Sequence, residues 1–191
     1  ERIHRCGLDL LGNNRESPPT CSEYFDSENG YFRIHYGNCQ STVETSFFSS
    51  PVNATTTYLN AVAEAAEYSR NLLLNMGFNQ AVHDAENIYH IYLSNRSDGA
   101  YGVNFSSSEG GSFINIDNDY SSFTCGPCHI EPSSLELMKI TVAHEYFHAV
   151  QRAYNPGDSN LFFWELSSTW FEDVAYPEIN DYLNWAYYTY L

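Results

Sequence analysis

The stretch Leu137-Met138-Lys139-Ile140-Thr141-Val142-Ala143-His144-Glu145-Tyr146-Phe147-His148-Ala149-Val150 decides how this chain is read. Leu137, Met138, Ile140, Ala143, Phe147 and Val150 fit a helix that is apolar over much of its surface, which predicts burial. Pro132-Ser133-Ser134 opens it, with Ser133 and Glu136 in capping-box spacing, and Asn155-Pro156-Gly157 ends it. Inside this helix His144 and His148 stand at i and i+4, so both imidazoles share a face and can reach one metal ion. Imidazole nitrogen suits zinc. Glu145 is offset from that pair and fits a general base better than a ligand. After the turn, a helical segment from about 160 to 174 carries Glu165, Ser168 and Glu172 at i, i+3 and i+7, on one face. A carboxylate from this antiparallel neighbour would complete a three-ligand site with a fourth position open for water. Glu165 and Glu172 both qualify. The bland alternative has two capped core histidines beside solvated acids. It leaves His, Glu and His on a buried helix without a metal, which is costly.

Working outward, residues 57–76 place Leu59, Val62, Ala63, Ala66, Leu72, Leu73 and Met76 at helical spacing, with Gly77 at the stop. Residues 31–36, 87–93, 101–105 and 112–116 read as strands rich in aromatic and β-branched types. In the second of these, Tyr89, Ile91 and Leu93 share one face. Residues 1–30 lack periodicity and read as a loop-rich, disulfide-tied segment. The expected organisation is therefore 1–30 as that segment, 31–154 as the main α+β unit, and 155–191 as a short helical C-terminal lobe. The aromatic tail from Asp181 offers a fourth helix.

Composition narrows the function classes. The 191 residues carry 8 Lys and Arg against 24 Asp and Glu, a net charge of −16. Nucleic-acid backbones and anionic lipid need a basic surface, so neither is an expected partner. No apolar run approaches the ~20 residues that span a bilayer. Five cysteines and three N-x-[ST] sequons, at Asn53, Asn95 and Asn104, favour a secreted or cell-surface protein with disulfides. The sequence opens at Glu1 without a signal-like segment, which reads as a processed or trimmed product. An odd cysteine count leaves one thiol over, and spacing does not fix the pairing. Cys125-Gly126-Pro127-Cys128 has the C-x-x-C form but no βαβ surroundings, so a structural disulfide is preferred to redox chemistry. Asp117-Asn118-Asp119 lacks calcium-loop spacing and reads as a polar turn. His35 and His90 read as strand residues, not ligands.

His144-Glu145-Tyr146-Phe147-His148 followed by Glu165-Leu166-Ser167-Ser168 resembles the gluzincin clan of zinc metallopeptidases. Trp164, Trp170, Glu172-Asp173, Tyr176-Pro177 and Asn180-Asp181-Tyr182 are similar to a group of secreted bacterial metallopeptidases. The strand Phe32–Tyr36 and the segment Ile116–Asp119 add to that likeness, which covers roughly residues 31–185. The resemblance implies a zincin-like α+β fold, in which a small twisted mixed sheet packs on a buried active-site helix. It implies that His144, His148 and Glu165 bind Zn2+. Glu145 would be base and proton shuttle, Glu172 and Ser168 would support the ligands, and Tyr176 or Tyr182 would stabilise an oxyanion. Strand 112–116 would be an edge strand that holds a peptide or protein substrate by β-addition. The absence of any histidine after His148 excludes the metzincin variant. The expected function is a secreted zinc endopeptidase. The rival is a surface-assembly glycoprotein on the same fold, self-associating, with its site inactive or blocked.

Overall fold

A computed structural model describes residues 6–8, 15–40, 51–96, 99–123, 130–156 and 160–184. In chain order the elements are β1 (Cys6–Leu8), β2 (Thr20–Asp26), β3 (Phe32–Gln40), α1 (Thr56–Asn75), β4 (Tyr89–Ser94), β5 (Gly102–Ser106), β6 (Ser112–Asp117), α2 (Ser134–Tyr154) and α3 (Leu161–Ala175). The six strands form one mixed sheet in the order β1-β5-β6-β4-β3-β2. β3 and β4 are parallel and joined across α1, while β5 and β6 are an antiparallel pair. The class is mixed α and β. No helix among the described residues is long and apolar enough to cross a membrane.

Strand alternation divides the apolar residues between two clusters. Ile34, Tyr89, Ile91, Leu93, Ile114 and Ile116 join the buried residues of α1 and α2 in the main core. Tyr92, Phe105 and Phe113 form a smaller cluster, with Val103 and Cys21 against it. α2 is buried from Leu137 and Met138 through the continuous run Ile140–Val150, as its apolar pattern predicts. Ser133 and Glu136 make the full capping box, satisfying two donors that the helix end leaves open. Thr55 caps α1 in the same way through Tyr58 N–H.

Two expectations need correction. Residues 1–30 are not only loop, because β1 and β2 lie in them and flank the sheet at opposite ends. Cys21 is bonded to Cys39 across the β2–β3 pair, so this segment is tied to the main unit. Residues 112–116 are not an edge strand. β6 runs between β4 and β5, and all six of its residues are buried. The expected fourth helix is seen as one turn, Tyr182–Asn184, and residues 185–191 lie outside the described ones, as do Cys125 and Cys128.

Asp117 closes a polar turn, as its spacing suggests. Its carboxylate accepts the main-chain N–H groups of Arg96, Asp119 and Tyr120. Elsewhere on the sheet, His35 Nε2 lies 2.9 Å from His90 Nδ1, and His90 Nε2 lies 3.0 Å from Asp84 Oδ2. Burial, then the neighbouring His90 and Arg33, pushes His35 down to about 3. A folded-state value below the unfolded one keeps this imidazole neutral in the fold. Its contribution is therefore intact above the unfolded pKa of about 6.5 and is lost as pH falls toward 3. Urea unfolding at pH 7 and pH 4 should show a difference that shrinks by on the order of 2 kcal/mol in His35→Phe. An unchanged difference would place the acid sensitivity elsewhere.

Candidate metal centre

α2 and α3 pack side by side, with Phe171 of α3 stacked on Phe147 of α2 at 5.2 Å between ring centroids. That contact sets the polar face of α3 against the histidine face of α2. His144 Nε2 lies 3.2 Å from Glu165 Oε2, and His148 Nε2 lies 3.5 Å from Glu165 Oε1. One ligand atom from each of the three residues falls within 4.8 Å of the others, so the group could hold a metal ion.

The other imidazole nitrogens are occupied. His144 Nδ1 faces Glu172 Oε1 at 2.5 Å. His148 Nδ1 is in reach of Gln151 Oε1 at 2.7 Å and Ser168 Oγ at 3.0 Å. Gln151 is itself fixed by donating to Trp164 O and Ser167 Oγ. Partners at Nδ1 set ring orientation and leave Nε2 for a ligand role. Of the two candidate acids, Glu165 therefore meets both Nε2 atoms, whereas Glu172 meets the back of His144. Removing that back contact should loosen the first ring. Glu172→Gln is expected to weaken binding of a divalent metal ion by about 10–100-fold, read by competition with a chromophoric chelator. Unchanged affinity would reduce Glu172 to a packing residue.

The donor set fits a divalent cation on two further grounds. His148 Nε2 is buried without a hydrogen-bond partner, a costly state that a coordinated ion would relieve. The charges also lean the right way. Burial alone would lower His144, yet Glu165 and Glu172 outweigh it and hold the ring well above the usual imidazole value. Burial lowers His148 despite Glu165. Burial alone would raise Glu165, yet both imidazoles hold its carboxyl below the usual carboxylate range. Burial keeps Glu172 raised in spite of His144. The cluster thus draws positive charge to the space between the ring nitrogens and Glu165. A site of two imidazoles and one carboxylate is a recognised zinc donor set.

Glu145 is fully buried on the sheet side of α2. β5 crosses it closely. A Cβ at Gly102 would fall 3.1 Å from Glu145 Cγ and 2.5 Å from Thr141 Cγ2, so no larger residue fits there. Asn104 Nδ2 donates to Glu145 O at 3.1 Å, and Asn104 Oδ1 accepts from Arg152 Nε at 2.8 Å. This overturns one expectation. Asn104 is fully buried with its amide engaged at both ends, so the folded chain has no opening for a glycan there. Asn53 and Asn95 are exposed. Tyr176 packs on Tyr68, with 5.4 Å between ring centroids. Tyr182 is half-buried in the turn after α3.

Sequence reasoning did not single out Gln151, Gly102 or the structural use of Asn104. Gln151 was legible in principle, since it stands at i+7 from His144 and i+3 from His148 on the same face. Compared with known protein families, curated proteins and solved structures, the chain matches none.

Proposed function

We propose that this chain is a secreted zinc-dependent endopeptidase. The observation that carries the reading is the meeting of His144, His148 and Glu165 within 4.8 Å, with Glu145 one residue along the same helix from the first ligand. Zinc, when bound, polarises a carbonyl and acidifies a water. Glu145 takes the proton as the water oxygen adds to the peptide carbonyl carbon. It returns that proton to the nitrogen as the C–N bond breaks, so one acid and one amine leave. Glu172 and Gln151 hold the two rings in place, and Gly102 lets the main chain of β5 lie close to the base. The Cys21–Cys39 bond and the exposed sequons at Asn53 and Asn95 support export to an oxidising compartment.

A second reading has one observation behind it. Phe162 and Phe163 of α3 are 73% and 60% exposed, and Leu166 and Trp170 continue that apolar face. Such a face suits self-association, as in a surface-assembly glycoprotein.

Protein purified without chelators is expected to hold one zinc per chain by elemental analysis, and His148→Ala to lose it. Sub-stoichiometric zinc that is unaltered by His148→Ala would sink the metallopeptidase reading. A sizing column decides the second reading, which needs a polymer that Phe162→Ser returns to monomer.

A further inference from the structure

β3 and β4 run parallel, with Arg33 opposite His90 and His35 opposite Tyr92. Ile34 and Ile91 belong to the core that α1 and α2 share with the sheet, so alternation turns His35 and His90 to the other face. There His35 Nε2 lies 2.9 Å from His90 Nδ1. Each histidine alone is an ordinary strand residue. Only the register brings the two ring nitrogens together, from positions 55 residues apart. The pair is half-buried, and His90 keeps 25% of its side chain exposed.

Both rings are held in place by their surroundings. His90 Nε2 lies 3.0 Å from Asp84 Oδ2. The other oxygen of Asp84 accepts the main-chain N–H groups of Glu86 and Ile88 at 2.9 and 2.8 Å, which fixes the carboxylate. An ionised carboxylate only accepts, so it keeps the His90 proton on Nε2 and leaves a lone pair on Nδ1. That lone pair faces His35. His35 lies flat on Tyr92, with 4.4 Å between ring centroids and 10° between planes. Arg33, two residues before His35 on the same face, is balanced by Asp26 through bonds of 2.7 and 2.9 Å. The Asp84 charge behind His90 is therefore left to complement a cation.

Two nitrogens bound cis to one ion at about 2.0–2.1 Å stand about 2.9 Å apart in a square arrangement and about 3.3 Å apart in a tetrahedral one. The spacing of His35 and His90 is the first of these. The same spacing serves a hydrogen bond between the rings when no ion is bound, with His35 donating from Nε2. We propose that His35 and His90 form a second metal site, for a divalent ion of square or tetragonal preference, with Asp84 setting the tautomer of His90. Copper(II) is the expected occupant, because it favours this geometry and binds imidazole most tightly among the divalent first-row ions. On binding, the neutral His35 ring carries its proton on Nδ1 and both facing nitrogens become ligands. Water takes the remaining positions. The ion then clasps β3 to β4 on the sheet face away from α2. The site does not rest on the peptidase reading, since it shares no residue with His144, His148 and Glu165.

The test is equilibrium dialysis of the full chain against Cu2+ buffered with glycine, with electron paramagnetic resonance of the bound ion. The unmodified chain is compared with His90→Gln and Asp84→Asn. Both variants keep His144, His148 and Glu165, so copper taken up there cancels in the comparison. His90→Gln should bind one copper ion fewer per chain and lose the signal of a copper coupled to imidazole nitrogens at this site. Asp84→Asn keeps both ligands. Its amide oxygen still accepts the Glu86 and Ile88 N–H groups, but its N–H2 now faces His90 and moves the ring proton to Nδ1. Copper affinity should then fall by about 10–100-fold. Should His90→Gln fail to fold by circular dichroism, His35→Gln gives the same comparison. Copper uptake and spectrum unchanged by the histidine substitution overturn the proposal, and the hydrogen bond between the rings is then their whole role. Loss of one ion, with weakened uptake in Asp84→Asn, upholds it whether or not the chain hydrolyses peptides.

Discussion

Glu145→Gln is expected to abolish peptide hydrolysis for practical purposes, lowering kcat by about 10²–10⁴-fold, while zinc content stays at that of the unmodified protein. The amide matches the carboxylate in size, so the close packing against Gly102 and Thr141 is kept. What it loses is the ability to take a proton. Positioned general bases contribute this much because they act only while the proton moves. Neither imidazole nor Glu165 is altered, which is why metal content separates the proposed base from the proposed ligands. The assay is release of fluorescence from a quenched unstructured protein, alongside elemental zinc. Activity within 10-fold of the unmodified chain would remove Glu145 from the chemistry and shift the base role to another group.

Phe171→Ala is expected to cost about 3–5 kcal/mol of stability, as for other buried aromatic truncations. Against the ~5–15 kcal/mol that holds a domain together, this is a large share. Phe171 is fully buried and stacks on Phe147, the residue before His148. It also sits directly before Glu172, which braces His144, and three residues after Ser168, which meets His148. The cavity would therefore loosen the seam that presents Glu165 to both rings, and zinc affinity should fall with stability. Urea unfolding and chelator competition read the two effects. A destabilised variant with unchanged zinc affinity would mean that α3 is fixed near the metal by something other than this stack.

The helices were legible because their signals are local. α2 announces itself by apolar residues at helical spacing and by a capping box, and both are satisfied within a few residues. The histidine pair and the acids of α3 follow from the same spacing, once the turn at Asn155-Pro156 is read as a reversal. The strands were found where alternation or β-rich composition is strong, in β3 to β6. β2 escaped because its residues are exposed or half-exposed on both faces, which erases alternation. β1 escaped because three residues cannot show a period. The place of β6 inside the sheet was out of reach for a different reason. Strand order is a property of pairings between distant segments, and no local pattern encodes it. Asn104 shows the same limit in chemistry. Its sequon is local, but whether the amide meets solvent or Arg152 is decided by residues 48 positions away.

The pairing of β1 also bears on how the chain comes together. Cys6 and its partner Gly102 are 102 − 6 = 96 positions apart, so the tripeptide has nothing to bind until β5 exists. Contacts of such separation form late, since the loop they close must first be ordered. The hairpin β5–β6 and the crossover β3–α1–β4 close much shorter spans. The sheet is therefore expected to assemble first with a vacant margin, and β1 to be laid down last. A fold completed in that order does not lean on its final piece, and what is added last can be the first to let go.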